Sequence, residues 1–267
     1  MVKAASLQTK VGEKSSENFK SAEKLIEKSV SLGAQILCLP EYFSFSLENF
    51  EITSYSEETL QFLSDNSKKY DVLIVGNTIE EIDDRYYNVA SLYEDGDLVG
   101  KQVKIHPPKG ERLWGISCGR DIEVFETTFG KIGVLVCADV LYPEACRILG
   151  IMGADIVLNP VVSMYNEKDI TKDARDSIFV SRSYDNSYFL IKTGGVGKTP
   201  FSRLKAVGRS LISAPWGILK RYKDENREEV LIADLDLDLL KEIREENYSL
   251  TDRNPEAYYK LVKDNPS

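Results

Sequence analysis

Several stretches of the chain are apolar at odd and even positions alike, the pattern of strands buried on both faces. "VLIVGNT", "IGVLVC", "DIVLNP", "YFLIKTG" and "EVLIADL" are of this kind, "QILCLPE" is another that Pro40 stops, and "KAASLQ" is a short opening strand. "KAVGRSLISAP" reads as one further strand, and "YYNVASLYEDGDLVGKQVKIH" as a hairpin turning at Asp95-Gly96. Helical spacing separates them. "SSENFKSAEKLIEKSVSLG" sets Phe19, Ala22, Ile26 and Val30 on one face, with Ser15 or Ser16 placed to cap it and Gly33 to end it. A second helix covers about residues 56–70, and "PEACRILGIMGA" forms a third with Ala145, Ile148, Leu149 and Met152 in one stripe. Residues 170–186 form a polar amphipathic helix, and residues 247–267 read as a C-terminal arm. Strands and helices alternate early and strands crowd together late. With no repeat, linker or composition break, the expectation is one α/β domain over residues 1–267, with two sheets and helices outside.

Composition narrows the class. Of 267 residues 42% are hydrophobic, enough for a sizeable core, and the net charge of −9 disfavours nucleic acid and anionic membrane surfaces. No apolar run approaches the roughly 18–20 residues that span a bilayer. The start, "MVKAASLQTKVGEK", lacks the apolar centre of a signal peptide, so the expected compartment is the cytoplasm. The four cysteines form no CxxC pair, which argues against structural zinc and fits a reducing compartment. A single histidine, His106, removes every mechanism that needs two.

"GGVGKTP", residues 194–200, imitates the end of a phosphate-binding loop. The first glycine of that pattern falls on Lys192, and Pro200 and strand-like sequence follow where a helix is required. A Gly-rich connection between strands is the better reading, with Lys198, Arg203 or Lys205 beside it as conceivable anchors for a substrate carboxylate.

Reactive groups in α/β folds gather at strand ends. Glu41 follows "LCLP", Lys104 ends "QVK", and Cys137 ends the most hydrophobic strand, just before a helix with Pro143 in its first turn. The helix N-terminus and a nearby lysine would both favour thiolate. Taken singly, each residue has an ordinary structural role; together they interrupt apolar contexts with chemistry.

These residues resemble the nitrilase, or carbon-nitrogen hydrolase, superfamily. The likeness rests on "LCLPEYF", on "VKIHPPKGE", and on a G-x-x-x-C-x-D-x-x-x-P-E pattern met by Gly133, Cys137, Asp139, Pro143 and Glu144. "GADIVLNP", "VGRSLISAPWGIL", "EVLIADLDLDLLKEIRE" and "DRNPEAY" extend it over nearly the whole chain. The resemblance implies a four-layer α-β-β-α sandwich and a homodimer or higher even oligomer. The helix after Cys137, the 170–186 helix and the C-terminal arm would make its contacts. It implies a Glu41–Lys104–Cys137 triad: Glu41 as general base, Cys137 as nucleophile, Lys104 and the Ala138 N–H as oxyanion donors. Glu111 would support Lys104 or orient substrate, and Tyr142 would line the pocket. The implied reaction is hydrolysis of a small amide through a thioester, with no metal or organic cofactor. Hydrolysis of an N-carbamoyl amine or nitrile, acyl transfer, and a non-catalytic binding role stay open, as does a Cys137–His106 dyad, since His106 shares strand parity with Lys104. Leu141 stands where relatives often have arginine, and "HPPKGE" is unusually Pro-rich.

Overall fold

Strands apolar on both faces need a partner layer on each side, and two six-stranded sheets packed face to face supply it. The computed structural model describes residues 1–12, 14–46, 51–167, 170–171, 174–199 and 202–263, without the side chains of residues 202, 203, 262 and 263. Labels follow chain order. The first sheet holds β1 (Val2–Gln8), β3 (Ile36–Cys38), β4 (Leu73–Ile82), β5 (Arg85–Glu94), β6 (Asp97–Val103) and β16 (Glu229–Leu235), in the order β16-β1-β3-β4-β5-β6. The second holds β7 (Val124–Thr127), β8 (Gly130–Val134), β9 (Ile156–Val161), β11 (Phe189–Gly194), β14 (Leu211–Ala214) and β15 (Gly217–Arg221), in the order β15-β14-β11-β9-β8-β7. β3 runs parallel to β1 and β4, and β9 to β8 and β11, so the chain leaves the middle of each sheet in a consistent direction.

Strand alternation sorts the core into three slabs. Ile36, Cys38, Leu73 and Val75 of one sheet meet Val134, Ile156, Leu158 and Ile191 of the other. Their neighbours Leu37, Leu39 and Ile74 face outward onto Phe19, Ala22, Ile26 and Leu63 of α1 (Ser15–Ser31) and α2 (Ser56–Tyr70). Leu135, Val157 and Leu190 face the other way, onto Cys146 and Leu149 of α4 (Pro143–Ile151) and Phe179 of α5 (Arg175–Asn186). The layers are therefore α-β-β-α, as the resemblance implied. Each fully buried aliphatic or aromatic side chain stabilises this stack by roughly 1.5–3 kcal/mol before entropy is counted.

A third, four-stranded sheet was not expected. It contains β2 (Lys10–Val11), β10 (Ser163–Met164), β12 (Val196–Thr199) and β13 (Ser202–Val207), in the order β10-β13-β12-β2. "KAVGRSLISAP" is thus two strands in different sheets. The break falls at Gly208, where a Cβ would lie 1.9 Å from Gln8, and at Arg209, whose φ is +49°. Two further expectations change. α1 takes Lys14 as N-cap with no side-chain cap, so neither Ser15 nor Ser16 plays that part. On α4 the buried stripe is Ala145, Cys146, Leu149 and Gly150, while Ile148 and Met152 are exposed.

After β6 comes a short helix, α3 (Lys109–Leu113); after β16 comes α6 (Leu237–Glu245), capped by Asp236, which accepts from the N–H groups of Asp238 and Leu239. α7 (Tyr248–Thr251) and α8 (Lys260–Lys263) belong to the arm. Asn247 donates to Ser187 Oγ at 2.7 Å and Arg147 to the Ser249 carbonyl at 3.0 Å, which seats the start of the arm on α4 and α5. No helix among the described residues is long and apolar enough to cross a membrane.

Candidate active site

Three chain segments leave the two large sheets on the same side and converge. Glu41 stands past the end of β3 in a tight turn whose next residue, Tyr42, has φ +56°. That turn is pinned by Tyr42 N–H donating to Asn77 Oδ1 at 2.6 Å. Lys104 follows β6, its N–H bonded to the Asn88 carbonyl at 2.9 Å. Cys137 opens a 3₁₀ turn, Cys137–Leu141, with φ +50°. Positive φ in a non-glycine residue stores about 1–3 kcal/mol of strain and must be held by its surroundings. Here Asn159 holds it, donating to the Leu135 carbonyl at 2.5 Å and the Cys137 carbonyl at 3.4 Å.

Asp139 ties the lysine segment to the cysteine turn. Its buried carboxylate accepts from the N–H groups of Val136 (3.3 Å), Ile105 (3.2 Å) and His106 (2.8 Å) and meets His106 Nδ1 at 2.9 Å. The imidazole also stacks on the Tyr142 ring with centroids 3.6 Å apart. His106 therefore serves Asp139, and neither His106 nor Tyr142 lines the central cavity. Tyr142, expected at the pocket, packs outside it, on a half-exposed surface.

The cavity has a volume of about 300 Å³ and is lined by Glu41, Lys104, Glu111 and Cys137 together with Tyr42, Pro108, Gly110, Trp114, Val162 and Met164. Lys104 is wholly buried, and its Nζ lies 2.8 Å from Glu41 Oε1 and 2.7 Å from Glu111 Oε1. Glu41 Oε1 also accepts from Asn88 Nδ2 at 2.9 Å, and Oε2 accepts from the Val162 N–H at 3.0 Å. Glu111 comes from α3, which starts directly after Pro107 and Pro108. The two prolines with fixed φ explain how so short a helix is placed here. Tyr42 OH donates to Glu111 Oε1 at 3.2 Å and accepts from Asn88 at 2.6 Å. Glu111 Oε2 is buried and has no hydrogen-bond partner among the described residues.

Charge follows from this packing. Burial works against the Lys104 ammonium, but Glu41, Cys137 and Glu111 together outweigh it and hold Lys104 above its usual value. Burial pushes Glu111 up to about 7, helped by the charge of Glu41 and opposed by Lys104. Burial also raises the Cys137 thiol well above the usual range; the charge of Glu41 adds to the rise, and Lys104 opposes it. Burial thus works against the thiolate that a helix N-terminus and a nearby lysine would favour, and Cys137 Sγ donates to the Val162 carbonyl at 3.8 Å.

Glu41, Lys104, Glu111 and Cys137 are thus brought together as the sequence suggested, and Ala138 follows the thiol in the first turn of its 3₁₀ segment. Lys198 and Lys205 do not line the cavity, and Lys205 instead donates to Asn226. The side chain of Arg203 lies outside the described residues. "GGVGKT" contributes β12, paired with β13, and forms no strand-to-helix turn. Sequence reasoning missed Asn77, Asn88, Asn159 and Tyr42. All four are buried in strands or turns, a burial that the sequence around them does not signal.

A family model of carbon-nitrogen hydrolases matches residues 3–245. The chain is 31% identical to a nitrilase of Pyrococcus abyssi, over 91% of this chain and 94% of that protein. It is 28% identical to an N-carbamoylputrescine amidase of Arabidopsis thaliana, over 98% of this chain and 95% of that protein. The crystal structure of a carbon-nitrogen hydrolase from Helicobacter pylori G27 superposes with a TM-score of 0.89, at 26% identity, covering 98% of both chains.

Proposed function

The chain belongs to the carbon-nitrogen hydrolase family, and from that premise we propose that it hydrolyses small carboxamides through a thioester on Cys137. One observation carries this reading: Cys137, Glu41 and Lys104 share a single cavity, with Lys104 Nζ 2.8 Å from Glu41. As Cys137 sulfur bonds to the carbonyl carbon, its proton passes to Glu41. The negative charge that develops on the carbonyl oxygen is met by the Lys104 ammonium and the Ala138 N–H. The first N–H groups of a helical turn have no acceptor within it. Glu41 then gives its proton to the departing nitrogen, the C–N bond breaks and ammonia leaves. Water next attacks the thioester, losing a proton to Glu41; the C–S bond breaks, and Glu41 returns the proton to sulfur.

Glu111 favours amides over nitriles. It lines the cavity beside Lys104, where its carboxylate can accept an N–H bond from a bound substrate. A carboxamide carries two N–H bonds and a nitrile none, so only the amide makes that contact. The nitrilase and the carbamoylputrescine amidase among the relatives make nitriles and N-carbamoyl amines the competing classes. The test is ammonia release from aliphatic amides, dicarboxylic mono-amides, N-carbamoyl amines and nitriles, with Cys137→Ala and Glu41→Gln run alongside. Amides should be turned over, with about 10²–10⁴-fold loss in Glu41→Gln and no release above background in Cys137→Ala. Nitriles turned over faster than amides would overturn the substrate class.

The same proposal takes residues 1–267 as one catalytic domain acting in the cytoplasm, where four free thiols stay reduced. It acts as a homodimer or higher even oligomer, without nucleic acid or membrane as partner. Support for the dimer is the apolar face that α4 and the arm leave open: Ile148, Ile151, Met152, Tyr248 and Leu261 are all more than 40% exposed.

A further inference from the structure

The active cavity carries its own charge selection. We infer that the acyl group of the substrate is short and uncharged, so that mono-amides ending in a carboxylate and amides ending in an ammonium are both excluded. This rests on the amide-hydrolase reading of the site and adds to it the part of the substrate that does not react.

The inference follows from what lines the cavity. Its described charged groups are Glu41, Glu111 and Lys104, and all three are committed at the reacting centre. The one ammonium is already shared by two carboxylates, at 2.8 and 2.7 Å. No second cation lines the cavity among the described residues. A substrate carboxylate would be stripped of water, left without a counter-ion and held beside two groups of its own sign. Away from the centre the described wall is Pro108, Gly110, Trp114, Val162 and Met164, which offers apolar surface and no acidic side chain for an ammonium. A volume of about 300 Å³ is at the small end for ligand sites, so the acyl group that fills it is a few carbons long. The chain's net charge of −9 repels anions before they enter.

Two measurements test this, one independent of turnover. In Cys118→Ser protein, which lacks the exposed competing thiol, the alkylation rates of Cys137 by iodoacetamide and by iodoacetate are followed by peptide mass, with glutathione as the reference thiol. The two reagents differ in charge and little else. Cys137 should prefer iodoacetamide at least about 10-fold more strongly than glutathione does. Equal or reversed preference overturns the inference. In the second measurement kcat/KM is compared for shape-matched pairs: 4-methylpentanamide against succinamate, and hexanamide against 5-aminopentanamide. The neutral member should lead by at least 100-fold in each pair. Cys137-dependent turnover of a charged member at the neutral rate overturns the inference and leaves the amidase reading standing. Iodoacetamide selectivity in a protein that turns over no amide does the opposite: it supports the neutral cavity and sinks the amidase reading.

Discussion

His106 is the residue whose role the structure changes most. On strand parity it was a candidate partner for the thiol; in the fold its Nδ1 is bound to Asp139 and its ring covers Tyr142. His106→Ala should therefore keep kcat within about 10-fold of wild type, whereas removal of a general base costs about 10²–10⁴-fold. Near-total loss in a folded His106→Ala protein would restore the dyad. Glu111 makes a second test. Its folded-state value, about 7, lies above the ordinary 4.5, so its contribution to stability is complete below about pH 4.5 and is lost as pH rises through about 7. Glu111→Gln removes that titration. The melting temperature of the wild type, relative to Glu111→Gln, should fall between pH 4.5 and 7; parallel curves contradict the assignment. At this scale the sequence showed Glu41, Lys104 and Cys137 because charge or thiol interrupts an apolar strand end. Asn88 and Asn159 were hidden because an asparagine in a strand looks the same whether it faces solvent, holds a carboxylate as Asn88 does or clamps a backbone as Asn159 does.

Elements with a strong local signal were legible from sequence. α2 spans the expected residues 56–70, and the hairpin turns at Asp95 and Gly96, with φ of +51° and +82°, as paired left-handed residues demand. The elements that misled depend on distant partners. "KAVGRSLISAP" has the composition of one strand, and only contact with Gln8 divides it. The glycines of "GGVGKTP" likewise answer to packing, not to phosphate. A Cβ at Gly194 would lie 1.9 Å from the Gly208 carbonyl oxygen, and one at Gly197 would lie 2.3 Å from that of Val11. Gly194→Ala should cost about 2–3 kcal/mol and lower the melting temperature by roughly 5–10 °C. An unchanged thermal midpoint would show that the backbones part without cost.

For the whole molecule, the apolar faces of the central strands pointed to two sheets with helices outside, and the four-layer α-β-β-α order came from the family resemblance. The small third sheet was not readable, because two-residue strands such as β2 and β10 carry no period. The stripe assigned to α4 also misled, and in an informative way: Ile148 and Met152 fit a buried helical face yet are exposed in the single chain. An apolar stripe that the chain itself does not cover fits burial against a second copy. Wild-type protein should sediment as a dimer or higher even oligomer, and Ile148→Asp with Ile151→Asp should shift it to monomer. A wild-type monomer at micromolar concentration removes the dimer.

One experiment bears on the chemistry before any other. Wild-type protein is mixed with a small neutral amide, quenched in acid within a turnover, digested, and the Cys137 peptide weighed. The mechanism derived above requires the mass of the acyl group on that peptide, lost on brief hydroxylamine treatment as a thioester is, and absent in Cys137→Ala. Ammonia release that continues in folded Cys137→Ala protein, with no acyl mass on the wild-type peptide, would contradict it.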